Sequence, residues 1–339
     1  MRVAAFTSFD GPDGVTIRER DDPEPDAGEA VIDVEACSIN RHDLWIAEGD
    51  SAMVGEDVLP FVSGLDPAGT VRSVGDGVSS VKPGDRVVLC PNETCGVCEY
   101  CREGPENRCS AFGLYHGGLA ERARVDATRL VAVPGSLSLR AAAALPTAYV
   151  TAWRMLDRAA VKPGDLVLVP GATGGVGVAT VQLADVLSVE TIATSRSAWK
   201  LDRLADLGAD HRIDSDDPAA LAEAVRAIGR PEAVINHLAG AFTRPAAEAM
   251  ARGGRMVVCG RTAGSVSEFD VPDLFIGHKR ILGSTMGTQG DLRRLVGLAA
   301  DGAYEPVIGG TYGLESTAEA FADMQRREAF GKLIVEPGA

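Results

Sequence analysis

The chain is 339 residues long, 45% hydrophobic and 24% charged, an ordinary globular composition with room for two hydrophobic cores. Its net charge of −15 and pI near 4.8 give a surface that repels phosphate backbones and anionic headgroups, which argues against nucleic-acid and membrane partners. No apolar run approaches the roughly 20 residues of a membrane span, and the opening MRVAAFTSFDGPDG turns polar before any secretion-signal core can form, so a cytoplasmic location is expected.

Residues 1 to about 130 carry short β-branched runs cut by Gly and Pro, such as EAVIDVEACSI, AGTVRSV and GDRVVLC, and this spacing predicts a small barrel-like β domain. Cys37 and Cys90 sit alone in such runs, as Cys259 does in GGRMVVCG, and they read as small core hydrophobes. The stretch CGVCEYCREGPENRC is different. Cys95, Cys98, Cys101 and Cys109 are separated by two, two and seven residues, a spacing suited to a tetrahedral all-cysteine zinc site. Free thiols, a reducible pair or an iron–sulfur cluster are the alternatives.

Near SLRAAAALPTAYVTAWRML the pattern changes to an alanine-rich helix. Then GDLVLVPGATGGVGVATVQLADVL, VETIATSR, KLDRLADLG, EAVINHLAG, GGRMVVCG and KRILGSTM alternate strand and helix signals, which predicts a doubly wound parallel sheet. The tail ends on GKLIVEP, a short strand expected to return to the first domain. VKPGDRVVL and VKPGDLVLV reuse one Pro-Gly turn ahead of a buried strand, with different surroundings, and do not mark a duplicated domain.

VLVPGATGGVG sets a buried strand before a glycine turn that opens a helix, the arrangement that seats a dinucleotide pyrophosphate on a helix N-terminus. Gly174 would let backbone approach the phosphates and Gly177 would let the helix pack on the strand. Ala172 stands where the usual fingerprint has its first glycine, and Thr173, Gly175 and Val176 complete the turn. A purely structural turn is the alternative. Selection of NAD calls for a carboxylate about 20 residues on. Here the next strand ends in Thr194, Ser195 and Arg196, with Lys200 one turn further, so a hydroxyl and two cations await a 2′-phosphate and NADPH is expected. Taken singly, Arg196 or Lys200 is equally a solvated basic residue.

NRHDLW, GLDPAGTVRSVGDGV, CGVCEYCREGPENRC, ALPTAYVTAWRML, GATGGVG and the closing FGKLIVEP, in this order, resemble the medium-chain dehydrogenase/reductases over nearly the whole chain, in particular the quinone-oxidoreductase-like branch with a zinc lobe. The resemblance implies an α/β chain: a GroES-like β-barrel catalytic domain over 1–148 and 285–339, with the zinc lobe at about 90–112, and a Rossmann domain over 149–284. It also implies a cleft between the domains where substrate meets the nicotinamide. Zinc alcohol dehydrogenases of this family hold a catalytic metal with two cysteines and a histidine. The matching positions here are Asn40, Leu65 and Thr147, which cannot assemble that ligand set. Cys37 sits three residues early, and Asp66 alone would not hold a metal. The one zinc expected is structural.

Without a catalytic metal, a conjugated C=C–C=O system or a quinone is an easier hydride acceptor than a simple ketone, because donors need only hold a delocalised anion. The expected activity is therefore NADPH-dependent quinone or enone reduction. The alternatives are an acryloyl-CoA-type thioester reductase, a metal-free carbonyl reductase or alcohol dehydrogenase, and a non-enzymatic NADPH sensor. Asn40 is a candidate donor to the substrate oxygen or a loop brace. His42 matches the hydroxyl of the zinc enzymes' proton relay and is a candidate acid or a structural histidine. Asp43 joins them as a candidate and is expected to brace the loop rather than to transfer protons. By the same resemblance Thr151 contacts the nicotinamide, Trp45, Tyr115 and Tyr149 are candidate pocket walls, and His116 lies near the expected cleft mouth. The family also implies a homodimer or homotetramer formed edge to edge through strands such as KRILGSTM. Only five of the 33 basic residues are lysine. Acid-rich, lysine-poor surfaces suit a high-salt cytoplasm, although a high-GC soil bacterium presents the same composition.

Overall fold

The longest strand, Glu29–Ile39, organises the first of two units in the computed structural model, which describes residues 1–51, 53–215 and 217–338. The first unit comprises Met1–Val150 and Gly287–Ala339, the second Thr151–Met286. Each boundary falls two residues beyond the one expected from the sequence.

In the first unit the main sheet runs, edge to edge, through Ile308–Gly313, Lys332–Glu336, Glu29–Ile39, Asp66–Val74, Arg86–Leu89 and Leu130–Ala132, with Arg122–Asp126 also paired to Glu29–Ile39. All pairs are antiparallel except Ile308–Gly313 with Lys332–Glu336. The β-branched residues that marked these strands fill the core: Ile32, Val34, Ile39 and Val87 pack with Phe6, Leu44 and Phe321. Each fully buried side chain of this size contributes about 1.5–3 kcal/mol. Register decides where polar groups gather. Ser38 faces Asp66 on one side, and Ile39 pairs with Leu333 on the other, so Asn40, Asp66 and Lys332 come together at one end of three adjacent strands.

Helix Arg41–Ala47 starts at this same end. Asn40 precedes it in extended conformation, and its backbone N–H donates to Asp43 Oδ2 at 2.7 Å, the carboxylate half of a capping box.

The second unit is a six-stranded, wholly parallel sheet in the order His211–Asp214, Glu190–Ser195, Leu166–Val169, Ala233–Asn236, Arg255–Val258, Arg280–Gly283. Four-residue runs such as LVLV form its centre because such strands are covered on both faces, and Val167, Leu168 and Val169 are wholly buried. Chain order reverses between Leu166–Val169 and Ala233–Asn236, the kind of switch point outside whose carboxyl ends ligands bind in open α/β sheets. Among the described residues no helix is long and apolar enough to cross a membrane.

Candidate active site

The strand ends of the first unit carry a buried polar cluster. Asp66 is wholly buried. Its Oδ2 accepts from Ser38 Oγ at 2.7 Å and Asn40 Nδ2 at 2.9 Å, and its Oδ1 accepts from Thr147 Oγ1 at 2.5 Å. Thr147 reaches it from a π-helical turn, Leu145–Tyr149, of the kind found at functional sites. Lys332 Nζ, on a residue 4% exposed, donates to Ile39 O at 3.0 Å and Asn40 Oδ1 at 2.5 Å and lies 3.7 Å from Asp66 Oδ2. Burial pushes the Asp66 carboxyl up and the Lys332 ammonium down, and the attraction between them opposes both shifts.

Lys332 is the residue that the sequence reading missed. The available signal was a lysine set directly before the apolar run LIV in a chain with few lysines. The cluster also tests whether a catalytic zinc fits. Asn40, Leu65 and Thr147 offer an amide, an alkyl chain and a hydroxyl, and both Asp66 oxygens already accept from Ser38, Asn40 and Thr147. The residues do not fit the metal.

The cluster's donors can be counted. The Ser38 and Thr147 hydroxyls point at Asp66, and the three Lys332 protons face Ile39 O, Asn40 Oδ1 and Asp66. One Asn40 Nδ2 hydrogen is also spent on Asp66. The second Nδ2 hydrogen of Asn40 has no acceptor among the described residues.

The other expected residues sort differently. Asp43 is wholly buried, and its Oδ1 accepts from Ser63 Oγ at 2.5 Å and Gly64 N at 3.0 Å, while its Oδ2 holds the Asn40 backbone. That corrects its placement among catalytic groups: both carboxylate oxygens are engaged in bracing the loop. Tyr149 is 1% exposed, stacks on Tyr304 at 5.4 Å and accepts from Val307 N through its hydroxyl, so it is a core residue and not a pocket wall. Tyr115 is half-buried and packs against the edge of the first unit's core, and burial raises its phenol well above the ordinary range. His42 stacks on His116 with ring centroids 5.7 Å apart, with Trp45 edge-on to His42 and Phe61 edge-on to His116. Sequence reasoning named three of these rings without placing them together. Burial and the neighbouring His42 lower His116 to about 4.

Cys95, Cys98, Cys101 and Cys109 bring their Sγ atoms within 4.8 Å of one another, with pairs at 3.5 and 3.9 Å. Four sulfurs around zinc at about 2.3 Å stand about 3.8 Å apart, so the thiols fit a tetrahedral ion. Cys109 Sγ also accepts from the Cys95 and Ala111 backbone N–H groups, bonds that suit a thiolate.

In the second unit, Gly174 caps helix Gly175–Val186 without a side-chain partner for its first N–H groups. A Cβ on Gly177 would stand 2.6 Å from Ala172 backbone, whereas one on Gly174 would meet nothing within 4 Å. Thr173 N donates to Gly171 O, and Gly171 N to Thr194 Oγ1. Val176 O accepts from Thr180 Oγ1. His237 Nε2 lies 3.2 Å from Gly171 O, across the switch point, and burial lowers this imidazole to about 4. Ser195 ends its strand buried and accepts from Ser197 N, while Arg196 is exposed. Lys200 is buried, not solvated, with its ammonium 5.4 Å from the Trp199 ring centroid. Thr151 Oγ1 lies 3.8 Å from Met286 Sδ.

Comparison with known proteins agrees with both units. The alcohol dehydrogenase GroES-like domain matches residues 26–135, and the zinc-binding dehydrogenase family matches residues 175–301. An alcohol dehydrogenase of Geobacillus stearothermophilus is 30% identical across 99% of each chain. An acryloyl-coenzyme A reductase of Sulfurisphaera tokodaii is 28% identical across 96% of this chain and 97% of that one. The crystal structure of an NAD-dependent alcohol dehydrogenase is similar at a TM-score of 0.92, with 32% identity and 99% of both chains covered. With a GroES-like unit, a parallel nicotinamide-binding unit and whole-length relatives of this kind, the chain belongs to the medium-chain dehydrogenase/reductase superfamily and is one of its oxidoreductases.

Proposed function

We propose that this oxidoreductase reduces quinones or α,β-unsaturated carbonyl compounds with NADPH and without a catalytic metal. The observation that carries the reading is the donor count around Asp66: where zinc members of the family carry ligands, this chain has a closed hydrogen-bond cluster with one amide hydrogen to spare, that of Asn40. When bound, the nicotinamide supplies a hydride to the β-carbon. Asn40 Nδ2–H holds the oxygen on which negative charge develops. Asp43 fixes the start of the Asn40 helix, and Asp66 fixes the amide. His42, stacked beside the neutral His116, would move the proton that completes the product.

The chain's own residues also favour NADPH over NADH. The strand Glu190–Ser195 ends in a hydroxyl followed by exposed Arg196, with no carboxylate to accept from a ribose 2′-OH. One zinc ion on Cys95, Cys98, Cys101 and Cys109 would hold the lobe in shape, leaving no open coordination position. Arg280–Gly283 lies at an open edge of the parallel sheet, and pairing of two such edges would give a homodimer or half of a homotetramer. The acidic surface suits a cytoplasmic enzyme acting on small molecules. The acryloyl-coenzyme A reductase similarity favours a second reading, a thioester enone as substrate.

The test is NMR analysis of products from zinc-loaded protein, 2-cyclohexenone and either NADPH or NADH. Saturated ketone formed faster with NADPH is expected. Allylic alcohol would mean carbonyl reduction and would overturn the role given to Asn40. Turnover of acryloyl-CoA alone would select the thioester reading, and cofactor binding with no turnover of either acceptor would point to a sensor.

A further inference from the structure

We propose that Lys332 is a positioning residue for Asn40: its ammonium dictates which way round the Asn40 carboxamide sits, and so presents the spare Nδ2 hydrogen to the substrate oxygen. This rests on the reading of Asn40 given above. A carboxamide fits most sites either way round, since its oxygen and nitrogen are nearly the same size. At Asn40 the two ends are held by opposite charges, with Lys332 Nζ 2.5 Å from Oδ1 and Asp66 Oδ2 2.9 Å from Nδ2. Reversing the amide would set its NH2 against the ammonium and its oxygen against the carboxylate, two repulsive contacts in a buried site. The ammonium cannot drift away, because Ile39 O and Asp66 hold its other protons. A cation on the amide oxygen also draws electron density from the nitrogen, which makes the remaining N–H a stronger donor towards an enolate oxygen.

The arrangement makes activity depend on the charge of Lys332. The titratable groups facing it are Cys37 on the neighbouring strand Glu29–Ile39, Asp66 at the start of the next strand beyond it, and Asp43 on the helix. Burial disfavours the ammonium more than these groups favour it. Turnover should therefore decline on the alkaline side as Lys332 loses its proton and its hold on Asn40.

Two readouts test the proposal on the NADPH-loaded protein. The first is turnover of 2-cyclohexenone. K332M should lower kcat about 100-fold with KM changed less than about threefold, the size of effect seen when a donor to a developing oxyanion is lost. K332R should recover at least tenfold of that loss and remove the alkaline decline. The second readout needs no turnover. The chain has only four asparagines, Asn40, Asn92, Asn107 and Asn236, so ¹⁵N-asparagine labelling gives four side-chain amide signals. The Asn40 signal should shift with the alkaline decline in the parent protein and be displaced in K332M. Full activity in folded K332M, or an Asn40 signal indifferent to the charge at 332, overturns the proposal. Should K332M fail to fold, K332M/D66N removes both charges and should fold but stay slow, and parental activity in it is equally fatal. If the parent protein reduces no enone, the functional reading fails, and the Asn40 signal still decides the role of Lys332.

Discussion

Gly177 and Ala172 approach so closely that a methyl on Gly177 would lie 2.6 Å from Ala172 Cα, whereas the same methyl on Gly174 meets no atom. Two glycines three residues apart thus serve different ends, one for packing and one for ligand access. Gly177→Ala should lower stability by about 1–3 kcal/mol, read from the denaturant midpoint. Gly174→Ala should leave the midpoint within about 0.5 kcal/mol while weakening NADPH binding at least tenfold in a fluorescence titration. Similar losses of stability in both would show that the turn does not divide its work in this way.

Asp43 should prove a stability residue. Its carboxylate receives the Asn40 N–H, the Gly64 N–H and the Ser63 hydroxyl inside the first unit. Asp43→Ala leaves those donors buried without an acceptor, at a cost of about 1–3 kcal/mol for each group stranded. Urea unfolding should show a loss of this order, with kcat per folded molecule within about threefold of the parent. A kcat reduced by orders of magnitude at unchanged stability would restore Asp43 to the chemistry.

Acid should weaken the first unit through His116. Its folded-state value of about 4 lies below the ordinary 6.5 because burial and His42 disfavour the charged ring. A depressed folded value means that the contribution is complete above about pH 6.5 and is lost as pH falls through about 4, where the fold must charge a buried ring or open. The difference corresponds to about 3 kcal/mol across that window. His116→Phe should flatten the decline in unfolding free energy measured between pH 7 and 4. An unchanged slope would place the acid sensitivity elsewhere, with His237 the next group to test.

The cysteine lobe should bind one zinc per chain by elemental analysis, and Cys98→Ser should lose it. Structural zinc contributes folding energy outright, so that variant and chelated parent should melt at lower temperature. Activity per folded molecule should fall far less than occupancy. Proportional loss of zinc and turnover would contradict a purely structural ion.

Much of this was legible in the residues. The parallel sheet declared itself through short apolar runs separated by helical patterns, because strands covered on both faces have little freedom of composition. The cysteine spacing and the glycine turn were equally plain, each being a local stretch of chain. The polar cluster was not, since it depends on register between strands far apart in sequence. Nothing near Lys332 says that it will stand beside Asn40, and nothing in ALPTAYV says that Thr147 will bond Asp66. Tyr149 misled for a related reason: an aromatic ring carries the same signal whether it faces a ligand or a core, and tertiary packing alone decides.

The strand that brings Lys332 to Asn40 is made 292 residues after it. On the ribosome the whole of Thr151–Met286 emerges before that strand exists, so the parallel sheet can form while the first unit still lacks a strand between Ile308–Gly313 and Glu29–Ile39. Until the strand docks, Asp66 has hydrogen-bond donors but no counter-charge, and Asn40 is free to turn over. A nascent chain would therefore hold its parallel sheet early and order the Asn40 amide only after Lys332–Glu336 has joined the first unit.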